Sequence, residues 1–268
     1  MLPRVLPLSL IAASLGLTAA LPLSLSLSPA ASFVNDTLPA NADTALERRW
    51  VTGALADGYS MQYGQLSDQI KWQSSGQLLQ GCDASTGIGN CYTIKLQASG
   101  QLQKRAVSRQ RVEFLSIPYA QAGESWQFSW RQYLQPGVAS SEHFFILSQL
   151  LSREYGGPCV QLSLISGRIH IVDHVDGRCG SNGCPSIAQE EYWGRTTHHW
   201  MEATFGENGR VYYGVTDAST GEPIISYSFS NSYLHGDTSL KCGIYRAAVD
   251  TNTYAEAYVG DFWFAQVA

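Results

Sequence analysis

The chain has 268 residues, of which 15% are charged and 11% aromatic, with 25 glycines and a formal net charge of −5. A mildly acidic chain without basic clusters excludes nucleic acid and anionic membrane as partners, because both are bound through concentrated Lys and Arg.

The N-terminus reads as an export signal. Arg4 gives a short positive region, residues 5–17 are apolar, and small residues follow at Thr18, Ala19 and Ala20, where a signal peptidase could cut. No charged residue stands between Arg4 and Asp36, which also admits a signal anchor. Pro7, Pro22, Pro29 and the serine-rich run 21–32 interrupt the roughly 20 apolar residues that a membrane span requires. Residues 1–20 are therefore expected to be a signal peptide and 21–49 a low-complexity linker or propeptide. Arg48-Arg49 at its end resembles a fungal-type processing site and reads equally as two solvated arginines. Asn35-Asp36-Thr37 is a glycosylation acceptor triplet within the same segment. The expected product is secreted, extracellular, monomeric and free of membrane.

Residues 50–268 form one domain's length of chain, without a linker or repeat. Alternating apolar and polar residues recur at 92–96, 109–115, 126–133, 144–151, 160–164, 168–173, 200–205, 211–216, 224–229, 240–246 and 257–264, separated by turn clusters. No long segment has a helical period. The pattern predicts an all-β, two-sheet antiparallel sandwich of the jelly-roll kind.

Cys82 and Cys91 bracket a short Gly/Ser/Thr loop, and Cys179 and Cys184 bracket GSNG. Two small stapled loops would leave Cys159 and Cys242 to pair by elimination, the simplest of many connectivities for six cysteines. An even count suits an oxidising compartment. His170 and His174 with Cys179 and Cys184 have metal-ligand chemistry but no recognised spacing, so no metal and no other cofactor is expected.

Three strands carry unusual polarity. On 109–115, Arg109, Arg111 and Glu113 fall on one side and Val112 and Phe114 on the other. Such a row is either a solvated face or the lining of a groove for an acidic or hydroxylated ligand, for which Arg is the preferred bidentate partner. On 143–151, His143, Phe145, Leu147, Gln149 and Leu151 share a face. Gln149 in so apolar a strand needs a partner for its amide, which is either an internal hydrogen bond or a ligand. On 240–246, Lys241, Gly243 and Tyr245 share a face, and the glycine leaves room for a close approach. His198-His199 reads as loop sequence ahead of a strand opening at Trp200, with Trp200 entering the core.

In their order, R-x-E, then Q in a long apolar strand, then K-x-G-x-Y, these strands resemble the jelly-roll polysaccharide lyases of the glucuronan lyase, alginate lyase and heparin lyase I-like group. The resemblance covers about 109–264, including the 126–136 strand and corner and the Gly157-Pro158 segment followed by 161–171. It implies a concanavalin A-like β-jelly roll that binds an acidic polysaccharide and cleaves a uronic-acid polymer by β-elimination. By the resemblance, Arg111 and Gln149 hold and neutralise the sugar carboxylate, and Tyr245 is the acid and a candidate base. Lys241 assists the phenol or binds the substrate's charge, and Glu113, Arg109, His143 and Tyr133 complete the binding set. No metal is required by this scheme. The group pattern Q-x-H puts a histidine where Leu151 stands. His143 lies six positions before Gln149, about 20 Å along a strand, which leaves His198, His199 or Tyr245 itself as the base, or a chain that has lost the activity.

Two other readings belong to the same fold. A glycoside hydrolase of the β-glucanase type would need paired carboxylates, Glu113 with Glu142, Glu154 or Asp261. A non-catalytic carbohydrate-binding protein would need exposed aromatics, drawn from Trp72, Trp130, Tyr133, Trp193 and Tyr245.

Overall fold

A computed structural model describes residues 53–98, 109–175, 178–180, 183–247 and 253–268. The expected signal 1–20, the segment 21–49, Asn35 and Arg48-Arg49 lie outside the described residues. The strands are β1 Ala54–Asp57, β2 Gln62–Ser67, β3 Ile70–Ser74, β4 Gln77–Gln80, β5 Cys91–Leu96, β6 Arg109–Ser116, β7 Ser125–Leu134 and β8 Phe145–Ser152. They continue as β9 Gly157–Ile165, β10 Arg168–Asp173, β11 Ser186–Ala188, β12 Thr196–Thr204, β13 Gly206–Asp217, β14 Pro223–Leu234, β15 Thr238–Ala247 and β16 Ala255–Gln266. Every alternating run named above is a strand. No described helix is long and apolar enough to cross a membrane.

Two eight-stranded sheets pack face to face. The first has the order β1-β4-β5-β16-β7-β12-β13-β14, and the second β11-β10-β9-β8-β15-β6-β3-β2. All pairings between these strands are antiparallel. The inner faces supply the core: Phe128, Trp130, Met201 and Tyr213 from the first sheet meet Phe114, Leu150, Leu162 and Ile244 from the second. Each such side chain contributes roughly 1.5–3 kcal/mol on burial. This is the expected jelly-roll sandwich.

The sequence patterns of 198–200 and of the cysteines are corrected here. β12 starts at Thr196, so His198 and His199 belong to the strand, and the core side is His199, Met201 and Ala203. Trp200 points outward and stacks on Trp263, with ring centroids 5.8 Å apart. A histidine can take a core position because both its nitrogens are matched. Nδ1 meets the Tyr213 hydroxyl at 2.8 Å, and Nε2 meets Tyr192 Oη at 3.1 Å and Thr197 Oγ1 at 3.0 Å. Burial, and to a lesser degree His198, pull its pKa down to about 3, so the ring is neutral.

The Cys82–Cys91 and Cys179–Cys184 disulfides are formed, with Cα atoms 5.6 and 4.8 Å apart. Cys159 and Cys242 are free, buried thiols. They sit on β9 and β15 with β8 between them, so two strand spacings, about 9.5 Å, separate them, beyond the roughly 7 Å Cα limit of a disulfide. The Cys179–Cys184 bond also removes both thiols from the metal reading. Among the described residues no group of His, Cys, Asp and Glu is arranged to hold a metal.

The unreduced protein, unfolded in guanidinium, should titrate two thiols with Ellman's reagent, and the native protein none; a titre of zero after unfolding would restore the third bond. The unfolded chain protonates His199 near its ordinary 6.5, whereas the folded chain resists to about 3. Stability should therefore fall as pH is lowered through that window, by up to about 1.4 kcal/mol per pH unit from this group. Urea unfolding between pH 7 and 5 should show the slope, and His199→Gln should flatten it.

Candidate functional site

The outward face of the second sheet carries the polar strands. There β8, β15, β6 and β3 lie side by side, and antiparallel register sets Gln149 opposite Lys241, Gly243 opposite Glu113, Tyr245 opposite Arg111 and Gln73 opposite Glu113. Arg111, Gln149 and Tyr245, far apart in sequence, thus share one face of neighbouring strands.

Glu113 is the centre of the cluster and is 2% exposed. Its Oε2 accepts from Lys241 Nζ at 2.8 Å, Gln73 Nε2 at 2.8 Å and Arg111 Nη1 at 3.3 Å, and its Oε1 accepts from Gln149 Nε2 at 2.8 Å. Burial pushes the carboxyl's pKa up, but Lys241 and Arg111, with the hydrogen bonds from Lys241 and Gln73, outweigh it and hold it below the ordinary value. The group is a carboxylate. Burial draws the Lys241 ammonium down against the opposing pull of Glu113. Gln149 is therefore a satisfied buried amide on the floor of the face, 3% exposed. Lys241 serves Glu113; the expectation that it serves the phenol is replaced by a different contact.

That contact is Arg109, whose Nη1 donates to the Tyr245 hydroxyl at 2.9 Å. The Arg111 guanidinium lies 3.9 Å from the centroid of the Tyr245 ring. Phe144 packs edge-on against the same ring at 5.0 Å and lies under the Arg109 guanidinium. The Nε–H groups of Arg109 and Arg111 are buried without a partner among the described residues. The phenol is thus set between two cations that retain donor capacity.

Two bulges build this arrangement. Gly243 adopts φ 138°, and a Cβ there would lie 2.2 Å from the Val112 carbonyl oxygen. The space beside this glycine belongs to the backbone of β6, not to a ligand. On β8 the register against β9 slips between Ile146 and Ser148, so Leu147 and Ser148 both face the core. Leu147 joins the core cluster, and Ser148 Oγ bonds the Tyr213 hydroxyl at 2.7 Å. Phe144 and Ile146 consequently share Gln149's side, whereas His143, expected there by simple alternation, is exposed in the turn before β8. Leu151 is half-buried opposite Ser239 and Pro158.

Other candidates lie elsewhere. Tyr133 is on β7 of the first sheet, stacked on Tyr258 at 5.7 Å. His198 bonds Ser129 Oγ through Nε2 at 2.9 Å on the outer side of that sheet, and His199 is in the core. Trp72 and Trp130 are core residues, and Trp193 packs against the core. Glu142 accepts from Ser166, Glu154 from Tyr233 and the Gly236 amide, and Asp261 pairs with Arg131. None of these acids is hydrogen-bonded to Glu113, which is held by Lys241, Gln73, Arg111 and Gln149. Sequence reasoning missed Gln73 and Phe144. The K-W-Q alternation in β3 was the available sign of the first, while the bulge that places the second leaves no mark in the pattern.

The chain resembles solved structures in fold. The endo-β-1,4-glucuronan lyase from the fungus Trichoderma reesei superposes with a TM-score of 0.52 and 10% identity, over 77% of this chain and 95% of that one. Alginate lyase A1-II′, of polysaccharide lyase family 7, gives 0.50 and 12% identity over 74% and 95%. A variant of that lyase solved with its product GGG gives 0.50 and 12% over 75% and 96%. This chain has the jelly-roll fold of the polysaccharide lyases. At such identities the likeness is one of fold. No protein-family model and no curated protein matches the sequence.

Lys241→Met leaves the Glu113 charge buried with its strongest partner gone and should cost about 3–5 kcal/mol in chemical denaturation. Combining it with Glu113→Gln should recover most of that loss; an additive double variant would mean that the two do not act as a pair.

Proposed function

We propose that this is a secreted polysaccharide lyase that cleaves a uronic-acid-containing polymer by β-elimination. The observation that carries the reading is the pairing of Tyr245 with two cations, Arg109 donating to its hydroxyl and Arg111 lying over its ring face. The partly exposed guanidinium groups of Arg109 and Arg111 fit a sugar carboxylate. Neutralising that carboxylate makes the C5 proton removable, because the charge that develops in the transition state spreads onto it. Tyr245, as phenolate, takes the C5 proton, and the electron pair becomes the C4–C5 double bond as the C4–O4 bond breaks. The phenol then returns the proton to O4 of the leaving sugar. Arg109 sits on the oxygen that carries the negative charge before the first transfer and again after the second. Gln149 and Lys241 act from beneath, fixing Glu113 and through it the Arg111 guanidinium. Leu151 supplies no base, so both proton transfers fall to Tyr245. Fold neighbours that are lyases on glucuronan and alginate support the substrate class.

Leu151 also favours a second reading, a protein that binds uronate without cleaving it. The two separate in one assay: the secreted chain with glucuronan, alginate or β-glucan, followed by the ultraviolet absorbance of the unsaturated product. We expect absorbance to rise with a polyuronate, and Tyr245→Phe to abolish it while binding persists. Activity retained in Tyr245→Phe would overturn the assignment; binding without absorbance would mark the non-catalytic protein, and new reducing ends without absorbance a hydrolase.

A further inference from the structure

A second cleft, of about 770 Å³, opens on the other side of the sandwich, over the outward face of β1, β4, β5 and β16. Its floor is built from alternate residues of those strands: Leu79 opposite Thr93, and Lys95 opposite both Gln77 and Glu256. The residues between them, Leu78, Ile94 and Ala257, belong to the core. The size is that of a pocket for a small ligand or a few sugar rings.

Two features define what it would take. Its aromatic surface is rigid on one side and uncovered on the other. Tyr258 is stacked on Tyr133 and fixed by Gln135, whose Nε2 donates to its hydroxyl at 2.8 Å. Tyr59, at the mouth, is 77% exposed. A pyranose ring stacks on such faces through its C–H side. The charged lining is acidic: Asp57, Asp83 and Glu256 against Lys95 alone. Lys95 is already paired with Glu256 at 3.4 Å. Asp83 and Asp57 accept backbone hydrogen bonds within their own turns, from Ser85 and Tyr59. Carboxylates accept hydrogen bonds from sugar hydroxyls but repel another carboxylate.

We propose that this cleft is a second carbohydrate site, for a saccharide without carboxylate groups, on the sheet opposite the one that carries Arg109, Arg111 and Tyr245. Its charge is the reverse of that face's, so the two faces select different sugars. The site does not depend on the lyase reading and stands or falls separately.

The full chain should be titrated calorimetrically with laminarihexaose, cellohexaose and an oligoglucuronate, in wild type and in Tyr59→Ala, Asp83→Asn and Tyr245→Phe variants. Asn also caps the turn after Asp83, so that variant keeps the local fold while removing the charge. We expect saturable binding of an uncharged hexaose, weakened about tenfold or more, a loss of about 1.4 kcal/mol, by Tyr59→Ala and by Asp83→Asn but not by Tyr245→Phe. Absence of saturable binding by both uncharged hexaoses, or binding unaffected by both cleft variants, would overturn the proposal. So would displacement of a bound hexaose by oligoglucuronate in Tyr245→Phe.

Discussion

The polar face of the second sheet depends on one buried carboxylate. Glu113 on β6 receives hydrogen bonds from β3, β8 and β15 as well as from its own strand. A charge in that position is tolerable only because four donors, two of them cationic, converge on it. The bonds run across the sheet, at right angles to the strands, and so lock side chains that backbone pairing alone leaves free to choose rotamers. Arg111 is aimed at Tyr245 because its Nη1 is held by Glu113, and Gln149 is held from the other side. The catalytic proposal thus rests on a network most of whose members cannot themselves reach a polymer.

Division of labour follows from burial. Lys241, Gln149 and Glu113 are almost inaccessible, whereas the guanidinium groups of Arg109 and Arg111 and the edge of Tyr245 form the part of the cluster nearer the surface. A sugar carboxylate arriving there meets net positive charge, since one buried anion offsets only one of three cations. The charge surplus sits at the phenol, where elimination would develop negative charge, rather than being spread over the face.

Much of this was legible in the sequence. Strand alternation is written directly in residues such as 126–133, where core and outer positions trade places without interruption, and the R-x-E and K-x-G-x-Y spacings fix which side chains share a face. The failures have a common physical origin. The bulge at Leu147 shifts the phase of alternation on β8 by one residue, and a phase shift has no signature in composition; it moved His143 out of the site and Phe144 into it. His199 was misplaced because the hydroxyls of Tyr192, Thr197 and Tyr213 make a core histidine acceptable, and the fold brings the two tyrosines to it. The pairing of Cys159 with Cys242 failed on strand order, a property no cysteine spacing encodes.

The two disulfides that do form span only 9 and 5 residues, and this bears on how the chain reaches its native state. Pairings such as β6 with β15 and β5 with β16 join segments more than a hundred residues apart, and no covalent bond helps to bring them together. Closing such contacts sets the pace of β-sandwich folding. Oxidation therefore finishes two loops locally and does not guide the topology. The search for strand partners is left to the core residues, and the thiols at Cys159 and Cys242 go out of reach of oxidants as the sheets close over them.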